Sequence, residues 1–201
     1  ELTMKKIQYT LAILLISAVT MLQAQSNTYM TYSMGFGMGD LGDFISKTSF
    51  RGAAIDYRKL VQPNVGVGFN LGWNVFYEDK DFDTYTSGTE TLSGRQFRYS
   101  NHIPMLLNAD YYLNPGEKVS PFVGLGTGVM YSRRNTDMNL YTLQEEAWNF
   151  TLQPEIGVQF NSSISSATTI MLKYYYGFAA GELDEPQSYL ALNVGFVFRQ
   201  P

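Results

Sequence analysis

Apolar and polar positions alternate without a break from Trp148 to Phe160. Trp148, Phe150, Leu152, Pro154, Ile156, Val158 and Phe160 fall on one side, and Asn149, Thr151, Gln153, Glu155, Gly157 and Gln159 on the other. A period of two belongs to an extended strand, whose successive side chains leave on opposite faces. Seven further stretches alternate in the same way: Thr28–Gly37, Ser49–Leu60, Val65–Glu78, Arg95–Leu113, Val119–Ser132, Thr168–Phe178 and Ser188–Arg199. After the first 24 residues no run carries a helical period. The pattern therefore predicts eight strands.

The connections alternate in length. VQPN, NPGEK and NSSISSA are short and rich in turn formers. MGDLGDFISKT, DKDFDTYTSGTETLSGRQ, RRNTDMNLYTLQEEA and AAGELDEPQ are longer and polar, and are expected to be loops. Short turns at one end and long loops at the other predict an up-and-down meander crossing a layer.

The faces decide which side is inside. Val65, Val67, Phe69, Leu71, Trp73, Val75 and Tyr77 oppose Gly66, Gly68, Asn70, Gly72, Asn74, Phe76 and Glu78. Leu190, Leu192, Val194, Phe196 and Phe198 oppose Tyr189, Ala191, Asn193, Gly195 and Arg199. An eight-stranded barrel has an interior just wide enough for side chains to fill. The continuous bulky faces do not fit there, so glycines and a few polar groups are expected inside and the apolar face outside. An outward apolar belt calls for lipid, and a closed barrel leaves no strand edge unpaired in it. The rival is a soluble, lipocalin-like barrel, apolar inside and polar outside. Pro154 and Pro104 lack the N–H that a ladder needs, so a bulge or a locally missing bond is expected at each.

The two ends of the strands carry aromatics. With the N-terminus on the periplasmic side, Phe36, Trp73, Tyr77, Tyr131, Trp148 and Tyr176 lie near the outer rim. Tyr57, Tyr111, Phe160 and Phe198 lie near the inner rim. Two aromatic levels match the two interfaces of a bilayer.

The N-terminus adds export. Lys5 and Lys6 precede an apolar run from Leu11 to Val19, and Ala24 offers a small residue for cleavage. This reads as a signal peptide over residues 1–24, too short to span a membrane, with a barrel domain over 25–201. The chain has no cysteine, which excludes disulfides and thiolate metal sites. Without residues 1–24 the net charge is −5, and nothing is basic enough for nucleic acid.

With its signal peptide, eight strands, unequal loops and closing strand YLALNVGFVF, the mature chain resembles the small outer-membrane β-barrel proteins of Gram-negative bacteria, of the OmpX and OmpA-barrel type. The resemblance implies an all-β, eight-stranded antiparallel up-and-down transmembrane barrel in the outer membrane. It implies contact with lipid and lipopolysaccharide, and with the barrel-assembly machinery during insertion. Family members end on an aromatic; Phe198 would stand in that place, although Arg199, Gln200 and Pro201 follow it.

Candidate chemistry is sparse. His102 is the only histidine. Ser100 shares its face, and Glu155 or Asp110 are candidates to orient it, as a lipid-modifying acyltransferase or deacylase would require. The plainer reading is an interior polar side chain, and no enzyme is assigned. Asp79, Asp81 and Asp83 have calcium-loop spacing but lack the later glycine and glutamate. Gly124, Gly126 and Gly128 alternate on a strand and form no phosphate loop. No metal or cofactor is expected. Counting from the inner turns places Asp56, Arg58, Asp110, Glu155 and Lys173 at similar heights on inward faces. Three acids and two bases there predict an ion-pair network that plugs the lower lumen. Two function classes follow: a structural or interaction barrel that displays loops to a partner protein, or a narrow channel or carrier for small hydrophobic molecules.

Overall fold

The computed structural model describes residues 25–200, with 88, 89 and 139 left out. The signal-peptide reading, residues 1–24, lies outside the described residues. Eight strands are present: β1 Ser26–Met38, β2 Gly52–Gln62, β3 Val65–Ser87, β4 Glu90–Tyr112, β5 Val119–Met138, β6 Tyr141–Asn161, β7 Ser166–Gly177 and β8 Gln187–Gln200. Each pairs antiparallel with the next, and β8 returns to β1 from Ser26↔Gln200 to Met38↔Ser188. The sheet is a closed barrel. No described helix is long and apolar enough to cross a membrane, which leaves crossing by strands untouched.

The register puts polar side chains inside. Along β6, Asn149, Thr151, Gln153, Glu155 and Gln159 are buried. Their neighbours Trp148, Phe150 and Ile156 are 59%, 53% and 57% exposed. The same inversion holds on β3, where Asn70 and Asn74 are buried while Leu71 and Trp73 face out.

Three expectations change. First, the interior is not only glycine and polar groups. Tyr29, Phe76, Tyr112, Phe122, Met130, Met171, Tyr175 and Tyr189 also point inward and are buried. Glycines on the same face make room for them: a Cβ on Gly35 would fall 2.7 Å from the Phe76 ring, and one on Gly157 2.5 Å from Phe122. Second, the segments after Glu78 and Ser132 are not loops. β3 and β4 continue to Ser87↔Glu90, and β5 and β6 to Met138↔Tyr141. Outside hydrocarbon a strand needs no apolar face, so these extensions leave no alternation to read. Third, a short helix, α1, spans Gly39–Phe44. Six residues are too few to show a helical period.

The two prolines behave alike. Pairing of β3 with β4 lapses between Leu71↔Met105 and Asn74↔His102, around Pro104, with no change of register. Pairing of β6 with β7 lapses between Leu152↔Tyr176 and Glu155↔Lys173, around Pro154, again in register. Each proline keeps its pairing on the other side, to Met130 and Leu125.

Candidate functional site: the filled lumen and the raised sheet

Asp56 and Arg58 stand on β2, Asp110 on β4, Glu155 on β6 and Lys173 on β7. The short inner turns bring them to one level, and all five side chains meet inside. Arg58 Nη2 donates to Glu155 Oε1 at 2.6 Å and to Asp56 Oδ1 at 3.2 Å. Arg58 Nε lies 3.3 Å from Asp110 Oδ2, an ion pair without hydrogen-bond geometry. Lys173 Nζ donates to Asp56 at 2.7 and 3.0 Å and lies 3.5 Å from Glu155 Oε2. Asn70 donates to Asp56, and Gln153 to Glu155. The charged side chains are sealed from solvent. One row of the sheet, Asp110–Gly124–Glu155, sets two carboxyl groups on either side of a glycine. The absent side chain is what admits them, since a Cβ on Gly124 would sit 2.1 Å from Asp110 Oδ1.

Apolar layers close the network above and below. On the inner side the Arg58 guanidinium lies 4.4 Å from the Tyr29 ring centre and 5.1 Å from that of Phe122. Tyr29 and Tyr112 share a hydrogen bond between hydroxyls, and Met171, Ala167 and Val197 complete this layer. On the outer side Tyr175 stacks on Tyr189 at 4.6 Å, packed with Phe76, Leu106 and Met130. Leu41 and Ile45, at the two ends of the turn made by α1, are buried on top of them. Phe44 lies between the guanidinium groups of Arg98 and Arg134, at 4.9 and 4.7 Å. Ser46 donates its backbone N–H and its hydroxyl to Glu78. The segment thus caps the outer mouth. Neither the aromatic layers nor the cap follows from a count of charges; the cue was the row of inward aromatics facing inward glycines.

His102 is fully buried between Phe76 and Tyr189. Its Nε2 is 2.9 Å from Ser100 Oγ and its Nδ1 3.1 Å from Ser132 Oγ. The second nitrogen therefore meets a serine, and neither Glu155 nor Asp110 orients the ring; both are with Arg58. In the acidic segment Arg95 makes two hydrogen bonds to Asp79. Among the described residues no group of three or more His, Cys, Asp or Glu could hold a metal.

The rim aromatics project from the outer wall. Phe36, Trp73 and Trp148 are exposed, and Tyr77, Tyr131 and Tyr176 are half-buried. At the other end Tyr111, Phe160 and Phe198 are exposed and Tyr57 is half-buried against Phe69.

Beyond the outer rim, β3 to β6 rise as one sheet. β2 leaves β3 at Gly52↔Asn74, and β7 leaves β6 at Thr151↔Gly177. Above these points, among the described residues, neither β3 nor β6 has a strand partner on that side. The β3 edge carries Asp79, Lys80 and Asp81 and an irregularity between Lys80 and Asp83. Charges and bulges of this kind blunt a strand edge. The β6 edge opens on Tyr141, Thr142, Leu143 and Gln144, all exposed and uncharged.

Such a structure, eight strands closed around a filled lumen with hairpins extended at one end, has the fold of the small eight-stranded outer-membrane barrels. Ail, the attachment invasion locus protein of Yersinia pestis, in complex with the heparin analogue sucrose octasulfate, is 16% identical with a TM-score of 0.56. The match covers 88% of this chain and 99% of Ail. The outer membrane protein OprG of Pseudomonas aeruginosa is 12% identical with a TM-score of 0.54, over 88% of this chain and 96% of OprG. No protein-family model matches the sequence, and neither does any curated protein.

Proposed function

We propose that this chain is an outer-membrane protein whose barrel anchors and does not conduct, and whose work is done by the raised sheet and the outer rim. The observation that carries this is the lumen: an ion-pair network between two aromatic layers, capped by the α1 segment. The apolar belt supports insertion, since a contiguous apolar surface of this extent needs lipid around it. Lipid and lipopolysaccharide are then its surroundings, and the barrel-assembly machinery its route in. We assign no catalysis to it.

The β6 edge supports the interaction role. Tyr141–Gln144 present unpaired backbone groups to which an extended segment of a partner protein can add as a strand. The chemistry of the partner differs from that in the Ail complex. Segments 39–51, 78–98, 133–146 and 178–186, all at the outer end, hold thirteen of the 18 acidic residues and seven of the 14 basic ones. A polyanion such as sucrose octasulfate is disfavoured there.

Planar-bilayer recording tests the reading. Wild type should give no steady single-channel steps. Large, steady steps from wild type would overturn the closed lumen and favour a channel.

A further inference from the structure

On the outer face of the rim, β5, β6 and the β7–β8 connection border an open hollow, a cavity of about 460 Å³. It is lined by Tyr131, Glu146, Ala147, Trp148, Gly181 and Glu182. The Tyr131 and Trp148 rings lie 5.2 Å apart, inclined at 50°. They form an open angle, with no face-to-face stack. Two carboxylates complete the walls. Tyr131 Oη donates to Glu146 Oε2 at 2.5 Å, and the Glu146 backbone N–H donates to Glu182 Oε2 at 3.1 Å. Gly181 makes the second contact geometrically available. Its φ of +61° is a left-handed conformation, and its missing side chain leaves the chain free to lie against Ala147. The connection is thereby held on the β6 edge with Glu182 at the cavity.

Two aromatic rings and two carboxylates around one space are complementary to a cation with an apolar skin. A ring face attracts positive charge, and most strongly when the cation sheds water easily. A hydrated metal ion does not fit that description and would need more oxygen ligands than two carboxylates supply. The charges are unequal. Glu146 is already engaged by Tyr131 and has Arg133 beside it in the ladder. No lysine or arginine pairs with Glu182 among the described residues. We propose that this cavity binds a substituted ammonium ion, seated on Tyr131 and Trp148 and neutralised by Glu182. The cation is either the headgroup of a lipid or a free organic cation, since the site stands at the aromatic rim. The lipid source rests on the membrane reading above; the free-cation measurement below, made in detergent, does not.

Trp73 and Trp148 are the only tryptophans, so Trp73→Phe leaves Trp148 as the sole reporter. This variant, in a neutral maltoside detergent, is titrated with tetramethylammonium chloride against sodium chloride at matched ionic strength. Trp148 emission should change saturably with tetramethylammonium and not with sodium. Glu182→Gln keeps the acceptor for the Glu146 N–H but removes the charge; it should raise the half-saturating concentration about fivefold. Tyr131→Leu should raise it about threefold. In nanodiscs, a response abolished in phosphatidylcholine but kept in phosphatidylglycerol identifies the headgroup as occupant. A response in both identifies the free cation. No saturable response in detergent, or one that Glu182→Gln leaves unchanged, would overturn the proposal, whether or not the barrel conducts.

Discussion

Arg58→Met is the sharpest perturbation of the lumen. In the wild type three carboxylates face two cations, a formal −1. Arg58 reaches all three acids, at 2.6, 3.2 and 3.3 Å, whereas Lys173 reaches only Asp56 and Glu155. Replacing Arg58 by methionine keeps much of the packing against Tyr29 and Phe122 but leaves three carboxylates with one ammonium, a formal −2. Asp110 then has no cation at all. Breaking a buried ionic group by removing one partner costs about 3–5 kcal/mol, because an uncompensated charge stays behind. Asp110→Asn acts in the opposite sense. It leaves two acids and two bases, and the carboxylate it replaces meets Arg58 at 3.3 Å without hydrogen-bond geometry. Its cost should be under about 1 kcal/mol. The assay is reversible urea unfolding of the barrel in phospholipid vesicles, followed by tryptophan emission. Arg58→Met within about 1 kcal/mol of wild type, or Asp110→Asn costing as much as Arg58→Met, would falsify the electrostatic account of the plug.

Other perturbations probe the wall and the space inside it. Leu125 is 53% exposed on the outward face, and Leu125→Arg should destabilise the barrel in the same vesicle assay by about 2–4 kcal/mol; no effect would mean that the residue does not meet hydrocarbon. Gly124→Ala pushes a methyl group into the place held by Asp110 and Glu155, and should cost about 1–3 kcal/mol. If Gly124→Ala is neutral in wild type, the carboxyl groups do not occupy that space; if they do, Asp110→Ala should relieve part of the cost. Phe44→Ala loosens the segment held by Arg98 and Arg134, and limited proteolysis between residues 39 and 51 should accelerate, with cleavage unchanged in the inner turns.

Much of this was legible in the sequence because a strand in a membrane barrel has to show its period. Trp148–Phe160 must be apolar toward lipid at every second residue, and that necessity is visible. The meeting of Asp56, Arg58, Asp110, Glu155 and Lys173 was also within reach, because short turns fix strand heights. The raised sheet was not. Past Glu78 and Ser132 the strands stand outside hydrocarbon, and nothing there forces an apolar face. The bulky interior was missed for another reason. Tyr29, Phe76 and Tyr189 sit on faces whose other members are mostly small or polar, and whether a ring fits depends on glycines such as Gly35 on another strand. That complementarity is between strands and has no signature along one. Leu41 and Ile45 bury themselves through a single helical turn, too short for a period.

The central claim is the inverted polarity of the wall, and cysteine scanning measures it directly. The chain has no cysteine, so each introduced thiol is unique. Single cysteines from Trp148→Cys to Phe160→Cys, each carrying a nitroxide, are reconstituted in phospholipid vesicles and read for collision with oxygen. High collision rates at 148, 150, 152, 156, 158 and 160, alternating with low rates and immobilised spectra at 149, 151, 153, 155 and 159, are the expected result. A profile of the opposite phase, or one without a period of two, would contradict a barrel that is polar inside and apolar toward lipid.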